Sequence, residues 1–240
     1  MKISQWTRVT FVISFSILLN QSAFAQSATS GAGRWEGKIV MPERDVAVIV
    51  DLDRDSAGAW IGSLTFPKTT TVNAPLSSVS SSERNVRFQL VGIEGNPKFE
   101  GTLSADGATL AGTAANAKGA VPFELQRSGQ AQVSLPPPSS MLTPDFEGEW
   151  DGALTAGART MQVGLKLSAL PDGRAAAVLT TVDDGNKTYP VSSVVLNGKQ
   201  LQLEMRVISG MFSGVLGANG EIAGEFKQGG ASLPLTFKRK

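Results

Sequence analysis

Apolar and polar residues alternate with a period of two along much of the chain. In the stretch 199–207, Leu201, Leu203, Met205 and Val207 alternate with Gln200, Gln202, Glu204 and Arg206. Val46, Val48, Val50 and Leu52 repeat the pattern earlier. That period places successive side chains on opposite faces of an extended strand, leaving one face apolar. Turn signals separate such stretches: Asp172-Gly173, Asp184-Gly185-Asn186, Asn197-Gly198, Ser209-Gly210, Asn219-Gly220 and Gly229-Gly230. Each supplies the positive-φ residues of a tight hairpin. The spacing predicts eight short antiparallel strands in the second half, at 149–155, 160–169, 174–182, 188–196, 199–207, 210–217, 221–227 and 232–239.

The first half follows the same plan because the sequence repeats itself. Gly33-Arg34-Trp35-Glu36-Gly37 aligns with Gly148-Glu149-Trp150-Asp151-Gly152. The alignment continues ungapped through Val50/Leu165, Leu52/Leu167, Leu64/Leu179 and Pro75/Pro190. After small deletions Phe99-Glu100-Gly101 matches Phe212-Ser213-Gly214, and Leu110-Ala111-Gly112 matches Ile222-Ala223-Gly224. The closing strands, Pro122–Arg127 and Pro234–Arg239, also match. The repeats run from 33 to 127 and from 148 to 239. The segment 128–147 between them contains Pro136-Pro137-Pro138 and is expected to be a semi-rigid polyproline spacer.

Eight sequential strands joined by hairpins form a meander, and closing it removes both sheet edges. The expected architecture is therefore all-β, with two tandem small eight-stranded antiparallel up-and-down barrels of calycin-like form. An open sandwich is the alternative. A transmembrane barrel needs strands of about 9–11 residues, aromatic girdles and an apolar outer face. Most strands here are shorter, and aromatic residues make up 7% of the chain, so stable membrane insertion is not expected.

Residues 1–25 have the form of a secretory signal peptide. Lys2 and Arg8 make the start basic, Val9–Leu19 is apolar, and Ala23-Phe24-Ala25 presents a small-x-small cleavage pattern before Gln26. Eleven apolar residues are too few to span a bilayer, which takes roughly 20. The exported chain is expected to begin at Gln26 and to be periplasmic or secreted from a bacterium. Composition narrows the chemistry. Of 22 basic residues, Lys2 and Arg8 leave with the signal, so 20 face 21 acids and the net charge becomes −1. Such a balance offers no electrostatic footprint for nucleic acid. The chain has neither His nor Cys. A Ser-His-Asp triad, a thiol nucleophile, His or thiolate metal sites and disulfides are thereby excluded.

Two resemblances follow from these motifs. Gly-x-Trp on the opening strand, with a basic residue ending the last, resembles the lipocalin and calycin pattern. In that family the Trp packs across the closed end of the barrel beneath the basic side chain. The matching pairs here are Trp35 with Arg127 and Trp150 with Arg239. The repeats are much shorter than lipocalins and lack their central motifs. A longer run resembles the small β domain that precedes the catalytic domain in many secreted bacterial α/β-hydrolases and peptidases. It comprises W-x-G-x-L, a Pro before a Ser-Val pair, F-x-G-x-L, N-G-x-I-x-G-x-F-x-Q-G-G and P-L-x-F-x-R. Repeat 2 fits it nearly end to end. Repeat 1 diverges, with Asn116-Ala117-Lys118-Gly119 where repeat 2 has Gln228-Gly229-Gly230. The chain closes at Lys240 without such a catalytic domain, so the resemblance implies two accessory modules.

Candidate chemistry is sparse. Asp51-x-Asp53-x-Asp55 resembles the opening of a calcium loop, but Ser56 and Gly62 stand where glycine and an acid are required. A solvated acidic turn is the expectation. Glu36, Glu100, Asp151, Glu204 and Glu225 could in principle pair for glycosidase-type catalysis. Outward strand positions instead make most of them surface charge. Gly101, Gly112, Gly214 and Gly224 are expected inside the barrels, leaving volume for Trp rings or for a small apolar ligand. We expect filled cores. Trp60 has no aromatic counterpart in repeat 2, where Ala175 stands, and heads the ligand-binding candidates ahead of Trp35 and Trp150. The reading is an exported, non-catalytic binding or interaction module, with no metal or cofactor. Its partner is expected to be a protein, an envelope component or a small apolar ligand. A lipocalin-like carrier is the alternative, and a carboxylate-based hydrolase a remote one.

Overall fold

The computed structural model describes residues 30–157 and 159–240. The signal segment 1–25 and the start of the exported chain lie outside the described residues. Eight strands build the first repeat: β1 (Gly33–Ile39), β2 (Val46–Arg54), β3 (Trp60–Thr65), β4 (Ala74–Ser82), β5 (Asn85–Leu90), β6 (Lys98–Leu103), β7 (Thr109–Asn116) and β8 (Gly119–Gly129). Each pairs antiparallel with the next, and β8 returns to β1, closing a barrel. The described residues contain no helix.

The second repeat departs from the expected eight-stranded closed barrel. Its strands are β9 (Gly148–Ala156), β10 (Arg159–Ala169), β11 (Ala175–Thr181), β12 (Lys187–Pro190), β13 (Ser193–Asn197), β14 (Gln200–Met205), β15 (Gly210–Leu216), β16 (Glu221–Gln228) and β17 (Ala231–Arg239). They form one curled nine-stranded sheet whose outer strands are β12 and β13. The single strand predicted at 188–196 breaks because Pro190 carries no N–H for a ladder. The next two amides then bond to opposite neighbours: Val191 N–H to Ala177 O at 3.0 Å and Ser192 N–H to Glu204 O at 2.6 Å. The matching Pro75 lies where the first barrel is most sparsely paired. There β3 meets β4 only at Ser63–Pro75 and Leu64–Ala74, and the β4–β5 register slips between Ser77 and Ser80.

The spacer is docked to both repeats. Gln132 N–H donates to the Asp51 carboxylate at 2.9 Å, and the Arg206 guanidinium donates to the carbonyls of Ser134 and Leu135. Further on, Ser140 fills the seam between β11 and β13. Its N–H donates to Val194 O at 2.8 Å, its carbonyl accepts from Ala175 N–H at 2.8 Å, and its hydroxyl accepts from Leu196 N–H at 3.0 Å. Asp51 is 3% exposed and paired with Arg34 at 3.1 Å, so it is no part of a solvated acidic turn. Asp55 instead closes the β2–β3 hairpin, accepting from Ala57 and Ala59 N–H at 2.9 Å each.

Each repeat has its own apolar core. The interior glycines do not leave the expected volume. A Cβ on Gly112 would fall 2.0 Å from Glu100 O, and one on Gly224 2.0 Å from Ser213 O, so neighbouring backbones occupy that space. Phe123 and Phe212 rings lie 2.8 and 2.6 Å from where the Cβ atoms of Gly101 and Gly214 would stand. The two cores meet at one point. The turn after β14 carries Val207, 5% exposed, into the core of the first barrel. There Val207 O accepts a hydrogen bond from the buried Thr71 hydroxyl at 2.8 Å.

Candidate functional site: the mouth of the first barrel

The two ends of the first barrel differ in kind. At one end Trp35 is fully buried between β1 and β8. Its indole N–H donates to Gly31 O at 3.0 Å, and the Arg127 guanidinium lies 4.2 Å from the ring centroid. Arg127 also donates to the carbonyls of Ala32, Ser30 and Gly107, stitching the incoming chain over the end. Burial lowers the pKa of this guanidinium from its usual value. The second repeat copies the arrangement. Trp150 N–H donates to Phe146 O at 3.1 Å, and Arg239 stacks at 4.3 Å while donating to Glu147 O and Asp145 O. Trp35 and Trp150 are 0% and 1% exposed in these closures.

Trp60 sits half-buried near the same closed end, with Arg54 stacked at 4.5 Å. It lines a polar cleft of about 400 Å³ with Ser30, Ser81, Glu83 and Arg84. Arg54 and Arg84 are already engaged by the carbonyls of Gly58 and Leu103. The five carboxylates weighed for catalysis are not brought together. Glu36, Glu100, Asp151 and Glu225 are exposed, and Glu204 is held by Arg206 at 2.7 Å. Among the described residues no group of three or more His, Cys, Asp or Glu is placed to hold a metal ion.

The opposite end is hollow. A cavity of about 570 Å³ opens there. Its walls are Ile39, Val46, Phe66, Phe99, Ala114 and Val121, contributed by or adjoining five strands and the β3–β4 loop. Phe99 stacks on Phe88 at 4.7 Å and meets Phe123 edge-on at 5.6 Å, so the floor is aromatic and fixed. The rim combines apolar Met41, Pro42 and Ile93 with polar Glu94, Asn116 and Lys118. Lys118 and Glu94 form an exposed ion pair across the opening, between the β5–β6 loop and the β7–β8 turn. The Lys118 hydrogen bond, reinforced by its charge, holds the Glu94 carboxyl below its ordinary pKa.

Neither the glycine positions nor the tryptophans point to this cavity. The signal was a different one: the repeat alignment sets Ala114 against Phe226. The ladders bear out the equivalence, since Phe99 faces Ala114 across β6–β7 and Phe212 faces Phe226 across β15–β16. Phe226 is 5% exposed and fills the second core. Where repeat 2 places a benzyl group, repeat 1 has a methyl, and a space of that kind opens.

No family model matches the chain, and no curated protein matches it. Among solved structures the chain is similar to a "putative outer membrane protein" of Bacteroides fragilis at 11% identity and TM-score 0.28, covering 90% of this chain and 98% of that one. It is also similar to a protein of unknown function from the DUF3598 family of Nostoc punctiforme, at 13% identity and TM-score 0.24, covering 86% and 94%. Among the described residues no helix is long and apolar enough to cross a membrane.

Proposed function

We propose that this chain is an exported, non-catalytic binding module whose first barrel holds a small, predominantly apolar ligand in its mouth. The observation that carries the reading is the 570 Å³ apolar cavity opposite the Trp35 plug. Ligand sites commonly occupy about 300–1,000 Å³, lined by apolar side chains with a few polar groups that orient the guest. Here the walls are aliphatic and aromatic, and the polar groups are confined to the rim at Glu94, Asn116 and Lys118. A guest with an apolar body and one polar end fits that division. The carrier reading thus overtakes a purely protein-directed one. The basic, apolar, small-x-small order of residues 1–25 supports export to the periplasm or beyond. The motif likeness of repeat 2 to hydrolase-accessory domains supports a role without chemistry of its own.

The test uses the repeat itself. Ala114→Phe installs in the first barrel the side chain that repeat 2 carries at the equivalent place. It should abolish uptake of the fluorescent apolar probe N-phenyl-1-naphthylamine while leaving the circular dichroism spectrum unchanged. Uptake that persists in Ala114→Phe would place the probe elsewhere and refute the proposed site. Native mass spectrometry of the chain from Gln26, purified from a periplasm without denaturant, should show a reproducible added mass that is released on collisional activation.

A further inference from the structure

The walls of the cavity are not held by the first barrel alone. Two of its loops carry cavity residues and also touch the second repeat. The β3–β4 loop begins at Phe66, whose N–H donates to Thr71 O at 3.0 Å. The Thr71 hydroxyl donates in turn to Val207 O, and Ser209 and Arg206 donate to the carbonyls of Thr70 and Asn73. The β5–β6 loop leaves β5 through Gly92, at φ +95°. A Cβ there would stand 2.3 Å from Pro190 Cδ and 3.4 Å from Val207 Cγ2, so the loop backbone is pressed against the second repeat. Ile93 and Glu94, the next two residues, line the cavity. Gly92 N–H also donates to the Asn96 side-chain oxygen at 2.8 Å, which ties the two ends of the loop together. Val207 itself does not line the cavity. It packs in the same core as Phe66, Phe99 and Ala114.

From this we infer that the second repeat forms the fixed wall against which the ligand site of the first barrel is shaped. Val207 is the positioning residue. One path runs from Val207 through Thr71 to Phe66, the other from Val207 and Pro190 through Gly92 to Ile93 and Glu94. The inference rests on the cavity being the ligand site. It assigns the duplicated repeat a purpose, since a docked second repeat holds two loops that a lone barrel would leave to solvent. Linkage makes the effect reciprocal: whatever factor docking adds to ligand affinity, ligand adds to docking.

The experiment uses the full exported chain and the same naphthylamine probe. Val207→Ala should weaken probe binding by about fivefold or more, within the usual span of coupling between sites, under conditions where the protein is fully folded by circular dichroism. Val207→Ile should restore it. Thr71→Val keeps the shape of the side chain and removes only the hydrogen bond to Val207 O. It should also weaken binding, and serves where the alanine variant does not fold. Hydrogen exchange supplies the second readout: the probe should slow exchange at residues 206–209 in the parent and not in Val207→Ala. Probe binding in both variants within twofold of the parent would overturn the inference and leave the cavity as the site. Absence of probe uptake by the parent would overturn the ligand site as well.

Discussion

The plug at the closed end of the second repeat permits a worked prediction. Trp150 is 1% exposed, hydrogen-bonded to Phe146 O and stacked beneath Arg239. Burying a large aromatic removes about 150–250 Å² from water, worth roughly 4–6 kcal/mol at ~25 cal/mol/Å². Trp150→Ala keeps the Cβ, and the stem of Arg239 can settle into part of the gap. Both pull the loss back into the ~3–5 kcal/mol range of large aromatic deletions. An exposed cation–π contact adds ~0.5–1 kcal/mol. The balance is a loss of about 4 kcal/mol from the second repeat. Trp150→Phe retains most of the area and forfeits the N–H, leaving the Phe146 carbonyl unpaired at a cost of about 1–2 kcal/mol. Urea unfolding followed by far-ultraviolet circular dichroism reads both. With a slope of about 1–3 kcal/mol/M, 4 kcal/mol moves the midpoint of the second repeat down by roughly 1.3–4 M. A midpoint for Trp150→Ala equal to that of the parent would refute the plug and free the ring for a ligand.

Other outcomes follow from the same contacts. Arg34→Ala strands the buried Asp51 with only the Gln132 amide as partner, and should destabilise the first barrel by about 2–3 kcal/mol, toward the low end for a broken buried pair because Arg34 is partly solvated; differential scanning calorimetry would show it. Ser140→Pro removes the amide bond to Val194 O at the seam of the second sheet, and should both lower the melting temperature and raise light scattering as the β13 edge is uncovered; an unchanged scattering profile would mean the seam is closed by other means. Probe binding should be flat from about pH 6 to 9, because the chain has no imidazole or thiol to titrate there. The Glu94 carboxyl is depressed by Lys118, so what that pair contributes is fully present above the ordinary value of 4.5 and is lost only as pH falls through the lowered value. A titration of binding centred near neutrality would contradict this account of the rim.

Much of the architecture was legible from local pattern. The period-two alternation and the Gly-containing turns place nearly every strand of the second repeat within a residue or two of its observed bounds. Alternation needs no knowledge of the partner strand, because inward and outward follow from backbone geometry alone. The Trp–Arg pairing came from the likeness to the lipocalin pattern, and both pairs stack, at 4.2 and 4.3 Å. What failed was reasoning about space. Glycine in an inward position suggests a void, yet Gly112 and Gly224 sit where another backbone passes. Trp60, which breaks the repeat, lies on a separate cleft at the Trp35 end, beside Arg54 and Arg84. The useful asymmetry was Ala114 against Phe226, one methyl against one ring.

The sequence by itself determined the class of fold, the duplication and the strand order, because each depends on periodicity or turn chemistry. It also excluded imidazole and thiol chemistry by composition. Only the tertiary structure decided which end is hollow, that Pro190 splits a strand and opens the second sheet, that the proline-containing spacer is docked rather than free, and that Val207 crosses into the other core. These depend on contacts between residues up to 139 positions apart, as in the Ser209–Thr70 bond. Close packing makes such contacts a property of three-dimensional fit, and no local pattern along the chain encodes them.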